Sequence, residues 1–237
     1  MSKYAKPFQF KQFSIEHDKC AMKVGFDGAL LAAWVSSPNP IKILDIGTGS
    51  GLIPMMLRQK FPLAKITTID PNSNAIKQAK INFNNSPFEN GFELIKTSLQ
   101  DFEPTCKFDL ILSNPPFFTE ETGSDDEDRN QARQEKFLPL TTLLQKAKVL
   151  LSDSGIFYLI YPTWESERVE AESKKLNLSI SKQTKIFSSQ KKASKRTIFE
   201  FTNQTKKTIY QDFISGNQDI GYTNEYQELL KDFYIIF

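Results

Sequence analysis

One junction constrains this chain more than any other: an apolar run that ends on an acid and turns at once through three glycines. Ile41-Lys42-Ile43-Leu44-Asp45-Ile46 reads as a buried strand. It passes without a spacer into Gly47-Thr48-Gly49-Ser50-Gly51 and then into Leu52 to Lys60, which reads as a helix. Glycine admits positive φ and lets a ligand approach bare backbone, so a strand–turn–helix junction of this kind sits where a nucleotide-like molecule binds. The third glycine follows the second by two residues, not three. That departs from the dinucleotide fingerprint, with its pyrophosphate on the helix N-terminus. Asp45, just before the turn, suits a ligand with a cationic ammonium better than one with two phosphates.

Strands and helices then alternate. A second strand, Lys65 to Ile69, ends on Asp70, and Pro71-Asn72 opens a helix through Phe83, with Pro71 suited to its first turn. A third strand covers Phe92 to Lys96 and a fourth Phe108 to Leu112. A helix from Leu140 to Leu151 and a strand from Gly155 to Tyr161 form another unit. This alternation predicts a parallel sheet with helices on both faces. A helix near Trp164 to Lys175 follows, then two alternating segments, Ser179 to Phe187 and Arg196 to Phe201, joined by a polar hairpin loop from Ser188 to Lys195. Residues 1–40 read as a cap on a core of 41–204, within one domain, and 205–237 as a tail helix packed on that core. The cap holds Phe8-Gln9-Phe10-Lys11-Gln12-Phe13, a short strand or an aromatic lid, and the buried helix Ala29 to Trp34. The tail helix has Thr223 as its cap and Tyr226, Leu229, Leu230 and Phe233 on its inner face.

Two further strand ends carry chemistry. Asp70 lies 19 residues beyond Gly51, where an acid can accept from both hydroxyls of a ribose; the alternative is a helix cap or a surface turn. Ser98 and Asp101, after the third strand, stand where an adenine ring would be reached. The fourth strand runs into Ser113-Asn114-Pro115-Pro116-Phe117-Phe118, which cannot continue a sheet because proline has no N–H to give. It is a stiff, extended turn presenting an amide, bare carbonyls and an aromatic face, which are the parts needed to hold a planar group bearing an NH2. The alternative is a plain strand-ending turn.

The remaining composition mostly excludes. With one histidine, His17, read as a surface residue, and two isolated cysteines, Cys20 and Cys106, there is no zinc pattern and no histidine-based triad. There is no apolar run of about 18 residues and no signal pattern, so a cytoplasmic protein without membrane contact is expected. A net charge of +2 announces no nucleic acid, but its distribution does more. Lys174, Lys175, Lys182, Lys185, Lys191, Lys192, Lys195 and Arg196 fall in a stretch with no acid, a candidate phosphate track or a solvated hairpin face.

Asp45 to Gly51, Asp70 and Asn114-Pro115-Pro116-Phe117, in this order on successive strand ends, resemble the class I S-adenosylmethionine-dependent methyltransferases of the amino-methylating type. The resemblance implies an α/β Rossmann-like fold: a mostly parallel seven-stranded sheet with helices on both faces and a C-terminal β-hairpin. It implies S-adenosyl-L-methionine as cofactor, held by Asp45, Gly47, Thr48, Gly49, Gly51, Asp70, Ser98 and Asp101.

A closer likeness covers nearly the whole chain. Lys11-Gln12-Phe13, Met22-Lys23-Val24, Asp27-Gly28, Asn114 to Phe118, Ala132-Arg133 and Leu230-Lys231-Asp232-Phe233-Tyr234 are similar to the bacterial tRNA1(Val) (adenine(37)-N6)-methyltransferases. This implies methylation of an adenine N6 in the anticodon loop of a tRNA, without metal. The Asn114 side-chain oxygen and the Pro115 carbonyl would each accept one N6–H, and Phe117 would stack on the base. Lys23 and Asp27 would belong to a segment closing over the site. Phe118, Arg133 and the basic Lys191, Lys192, Lys195 and Arg196 would contact substrate. Phe26 stands where the family often has Thr, and Phe117 replaces the more frequent Tyr. The same motif serves glutamine-N5 methylation of release factors and amino-methylation of rRNA or DNA. The former usually needs a separate N-terminal helical domain, for which 1–40 leaves little room. A non-catalytic RNA-binding module is the alternative of a different class.

Overall fold

The computed structural model describes residues 6–18, 24–88, 90–115, 138–217 and 221–237. The chain enters through two short antiparallel strands, β1 (Phe8–Gln9) and β2 (Ser14–Ile15), and helix α1 (Phe26–Trp34). Then follow β3 (Lys42–Ile46), α2 (Leu52–Lys60), β4 (Lys65–Ile69), α3 (Ser73–Asn84), β5 (Phe92–Ile95), β6 (Phe108–Ser113), α4 (Leu140–Leu150) and β7 (Leu151–Pro162). A 3-10 turn, Thr163–Glu165, leads into α5 (Ser166–Lys175), β8 (Ser179–Phe187) and β9 (Arg196–Thr202). The chain closes with β10 (Ile209–Ile214), a small pair β11 (Gly216–Asn217) and β12 (Gly221–Tyr222), and α6 (Asn224–Leu230).

Among the described residues the main sheet has eight strands in the order β10-β8-β9-β7-β6-β3-β4-β5. The strands from β5 through β7 are parallel, and β9 runs antiparallel between β7 and β8 as the expected hairpin. Seven of the eight are the strands the sequence predicts. The eighth, β10, pairs parallel with β8 in a stretch for which the sequence predicts only a tail helix. Its first four residues are exposed, Tyr210 to 66%, so no buried alternation marks it; backbone pairing at a sheet edge makes it a strand.

Alternation along each strand sends neighbours to opposite faces. Ile43, Leu110, Leu112, Tyr158 and Ile160 pack with the apolar residues of α1, α2, α3 and α6, while Leu44, Ile46, Ile111, Phe157 and Leu159 pack with α4 and α5. Helices therefore cover both faces, as expected. The two chain ends close one face together: Lys11 N–H donates to the Phe233 carbonyl (2.8 Å) and its ammonium to the Lys231 and Phe237 carbonyls. Phe10 and Phe13 are buried there, and the Thr223 hydroxyl caps α6 by accepting from Tyr226 N–H.

Two local expectations are corrected. α3 starts one residue after Asn72, not on Pro71, because the Asn72 side chain accepts from Asn74 N–H (2.8 Å) and Ala75 N–H (3.4 Å) and so fixes the cap. His17 is half-buried rather than a surface residue, with its Nδ1 out of solvent, because the adjoining Glu16 is tied down by Asn82.

Candidate functional site

The register of the parallel strands lines up the predicted site. Ser113, Ile46, Ile69 and Ile95 are paired across β6, β3, β4 and β5. The next residue on three of those strands is Asn114, Gly47 and Asp70 respectively. Three side chains or turns that are 67 residues apart in sequence at the extremes thus begin on a single row at the carboxyl edge, where open α/β sheets bind ligands. Ser113 strengthens the row by donating from its hydroxyl to the Ile46 carbonyl (3.1 Å).

The glycine turn is fixed by backbone hydrogen bonds. Gly47 and Thr48 donate to the Ile69 carbonyl, and Gly51 donates to the Thr48 carbonyl (2.8 Å). All three glycines have positive φ, yet they do different work. A Cβ at Gly47 or Gly49 would meet nothing within 4 Å, so their backbone borders open space. A Cβ at Gly51 would lie 2.7 Å from a Phe83 ring carbon, so that glycine lets α2 and α3 pack.

Asp45 shares the parity of Ile43 and so points to the face covered by α1 and α2. It is fully buried, and neither carboxylate oxygen has a hydrogen-bond partner. Burial raises its pKa to about 7; the Thr48 hydroxyl beside it lowers it somewhat without forming a bond of normal geometry, and Asp70 raises it further. An orphaned carboxylate is costly unless a donor arrives. An ammonium group is one donor set that would satisfy both oxygens, so the residue is compatible with the amino-acid end of S-adenosylmethionine.

Asp70 is also buried, which raises its pKa, while N–H groups of Asn72 (2.8 Å, to Oδ1) and Gly49 (3.0 Å, to Oδ2) pull it back. Each oxygen accepts one backbone N–H and keeps lone-pair capacity for a diol. Its place beside the open glycines fits a ribose. Ser98 and Asp101 are joined to one another: the Ser98 hydroxyl donates to Asp101 Oδ2 (2.6 Å) and accepts from Asp101 N–H. The Asp101 carboxylate is exposed and committed to this turn.

Asn114 is half-buried, and its Oδ1 is out of solvent with no donor. The first turn of α1 closes beside it: a Cβ on Gly28 would stand 3.6 Å from the Asn114 amide nitrogen. The next residue down that turn, Asp27, accepts from Arg196 Nε (2.8 Å). The structure therefore brings Asp27 and Arg196 together, with each other rather than as separate substrate contacts. Lys182 pairs across strands with Glu200 (3.4 Å) and Lys175 with Glu172 one helical turn before it (2.6 Å), so the basic stretch is partly neutralised by acids that flank it in sequence. Lys191, Lys192 and Lys195 are exposed on the loop between β8 and β9. Lys23, Pro116, Phe117, Phe118 and Arg133 lie outside the described residues.

One residue of the site escapes the sequence reading. Asn82 is buried and its amide donates to the Glu16 (2.8 Å) and Ser50 (2.7 Å) carbonyls while its oxygen accepts from Glu16 N–H (2.9 Å). It clamps the N-terminal segment to the glycine turn. The available signal is its place on the stripe Ala75, Ala79, Asn82, Phe83, where an amide interrupts an apolar helix face. Among the described residues, no three of His, Cys, Asp and Glu are grouped to hold a metal ion.

Residues 20–169 match the family described as methyltransferase small domain. A tRNA1(Val) (adenine(37)-N6)-methyltransferase from Christiangramia forsetii is 40% identical over 238 residues, covering 97% of this chain and 98% of the relative. One of the same name from Bacteroides thetaiotaomicron is 36% identical over 229 residues, covering 96% and 97%. Among solved structures, a protein from Agrobacterium tumefaciens described as a predicted O-methyltransferase superposes with a TM-score of 0.69 at 15% identity, covering 87% of this chain and 96% of that one. At that identity the likeness concerns the fold.

Proposed function

Because this chain belongs to the tRNA1(Val) (adenine(37)-N6)-methyltransferase family, we propose that it methylates the N6 amino group of adenine 37 in the anticodon loop of tRNA1(Val). The observation that carries the reading is the buried, donor-free Oδ1 of Asn114, one residue past β6 and level with Gly47 and Asp70. An acceptor in that position awaits an N–H.

S-Adenosylmethionine, when bound, supplies a methyl group on a sulfonium. Asp45 would take its ammonium, Gly47, Thr48 and Gly49 would border it with bare backbone, and Asp70 would take the ribose hydroxyls. Gly51 supports the turn from behind, and Ser98 with Asp101 bounds the adenine side. The remaining work is to position and desolvate the acceptor nitrogen. An adenine N6 is a weak nucleophile because its lone pair is delocalised into the ring. Two acceptors on its two N–H bonds, the Asn114 oxygen and the Pro115 carbonyl, favour a pyramidal nitrogen and stabilise the positive charge that develops. Phe117 would add stacking worth roughly 1–3 kcal/mol. No strong base is needed, which accords with a chain holding one histidine.

In this reading residues 1–40 cap a catalytic core of 41–204, the tail 205–237 braces both, and Lys23, Phe118 and Arg133 would serve as substrate-binding residues. The enzyme acts in the cytoplasm, where its tRNA is; no helix among the described residues is long and apolar enough to cross a membrane. The test is transfer of labelled methyl to total tRNA, rRNA, DNA and release factor in parallel. Label in tRNA alone, recovered as N6-methyladenosine after nuclease digestion, is expected. Label on release factor or rRNA instead would overturn the assignment.

A further inference from the structure

We propose that Trp164 is a stacking platform for a nucleotide flanking the target adenine, with Lys191 and Lys192, on the loop whose end is bonded to Thr163, holding the adjoining phosphates. The inference rests on the RNA substrate argued above and adds a residue to it. Tryptophan is seldom left in water, yet Trp164 is 54% exposed. Its surroundings are firmly held. Thr163 N–H donates to the Lys195 carbonyl (3.1 Å), and the Thr163 hydroxyl bonds with those of Ser194 (2.9 Å) and Thr197 (3.1 Å). On the other side Ser166 and Val169 are buried. An exposed ring on a fixed backbone is a pre-organised contact that loses little entropy on binding.

Its position follows from the sheet. β7 lies next to β6 and parallel to it, with Leu159 opposite Ser113, so the turn after β7 leaves the same edge as Asn114. Strand rise places Pro162, the last residue of β7, roughly 7 Å beyond the Asn114 row and one strand over, and Trp164 lies in the 3-10 turn that follows it. A continuous chain of contacts joins the two. Gly28 borders Asn114, the adjoining Asp27 binds Arg196, Arg196 Nη1 donates to the Lys195 carbonyl, and that carbonyl also takes Thr163 N–H. The same loop carries the exposed Lys191 and Lys192. Glu165, the acid adjoining Trp164, is turned to Arg168 (3.3 Å).

The chemistry suits an anticodon loop. To reach a base, such an enzyme must splay it out of the stack, which deprives its neighbour of a stacking partner. A fixed indole replaces that partner without reading its identity, and lysines on one side supply the backbone contact. The occupant is therefore any nucleobase next to the target.

The test uses the full chain, tRNA1(Val) transcript and two variants, Trp164→Ala and Trp164→Phe. Stacking worth about 1–3 kcal/mol per base corresponds to roughly 5- to 150-fold. W164A should raise the KM for tRNA within that range, with S-adenosylmethionine affinity unchanged, and W164F should recover most of the loss. Intrinsic fluorescence of the unsubstituted chain should be quenched on adding tRNA, and the quenching should vanish in W164F, since the other tryptophan, Trp34, is packed edge-on against Phe213. A W164A KM within twofold of the unsubstituted chain, or persistence of quenching in W164F, would overturn the proposal. Absence of methyl transfer to tRNA by the unsubstituted chain would instead overturn the substrate assignment, and this proposal with it.

Discussion

Arg196, the first residue of β9, donates from Nε to Asp27 in the first turn of α1 at 2.8 Å, across 169 residues of sequence. The two side chains are only 16% and 22% exposed, so the pair is sheltered from the screening that weakens surface ion pairs. It ties the start of β9, an interior strand, to the turn whose Gly28 borders Asn114. In this account Arg196 is a positioning residue. Arg196→Ala should cost about 1–3 kcal/mol of stability and lower kcat for methyl transfer, while the slope of tRNA binding against salt stays as it was. Asp27→Asn should do the same, and the double substitution should cost less than the two losses added. A salt slope smaller by about one in R196A would mark Arg196 as a phosphate ligand instead.

Asp45 gives the site a pH signature. Burial lifts its pKa from 3.8 to about 7, so between those values the folded chain holds a proton that the unfolded chain has released. Stability without cofactor should therefore fall as pH rises through that window. Asp45→Asn removes the charge, so it should raise the melting temperature at pH 8 and by less near pH 4. Cofactor affinity should move the other way: it should fall below about pH 7 as the ammonium's partner is protonated, and D45N should bind weakly at every pH. Calorimetric titration of the cofactor into both proteins from about pH 5.5 to about pH 8.5 checks the sign.

The glycines separate binding from packing. At Gly49, φ is +54° and a Cβ would meet nothing within 4 Å. Gly49→Ala should cost roughly 1–2 kcal/mol in backbone strain and lose cofactor affinity more than tenfold, because the methyl enters the open space beside Asp70. Gly51→Ala meets the Phe83 ring and should reduce stability by more than G49A does. Thermal melts alongside cofactor titrations distinguish the two, and equal melting losses would contradict the division.

What could be read from the sequence, and what could not, follows from how far each contact reaches. Asn114, Gly47 and Asp70 are legible because each breaks a strand pattern at its end, and parallel register then places them together. The Arg196–Asp27 pair is illegible: Arg196 sits in a locally acid-free stretch, and its partner comes from the other end of the chain. Lys182 hides its pairing with Glu200 in the same way, through cross-strand proximity. β10 is missed because an exposed edge strand needs no apolar alternation.

Asn82 offers a test of how the cap is joined to the site. Its amide makes three hydrogen bonds in a buried position, two to Glu16 and one to Ser50. Asn82→Leu matches its volume but leaves those backbone groups unpaired, at about 1–3 kcal/mol for each one so buried. The expected outcomes are a lower melting temperature, faster amide exchange near Glu16 and weaker cofactor binding through the loosened Ser50 turn. Unchanged exchange at Glu16 would show that the clamp is dispensable.

The central claim is that the Asn114 oxygen holds the amino group that is methylated. The most direct measurement is single-turnover methyl transfer to tRNA1(Val) transcript by the unsubstituted chain and by Asn114→Ala, with cofactor affinity measured separately on both and an adenine-to-guanine substitution at tRNA position 37 as control. The expected result is one N6-methyladenosine per tRNA, lost with the position-37 substitution and formed roughly a hundredfold or more slowly by N114A, with cofactor affinity within about threefold. Full-rate transfer by N114A, or label persisting in the position-37 variant, would contradict it.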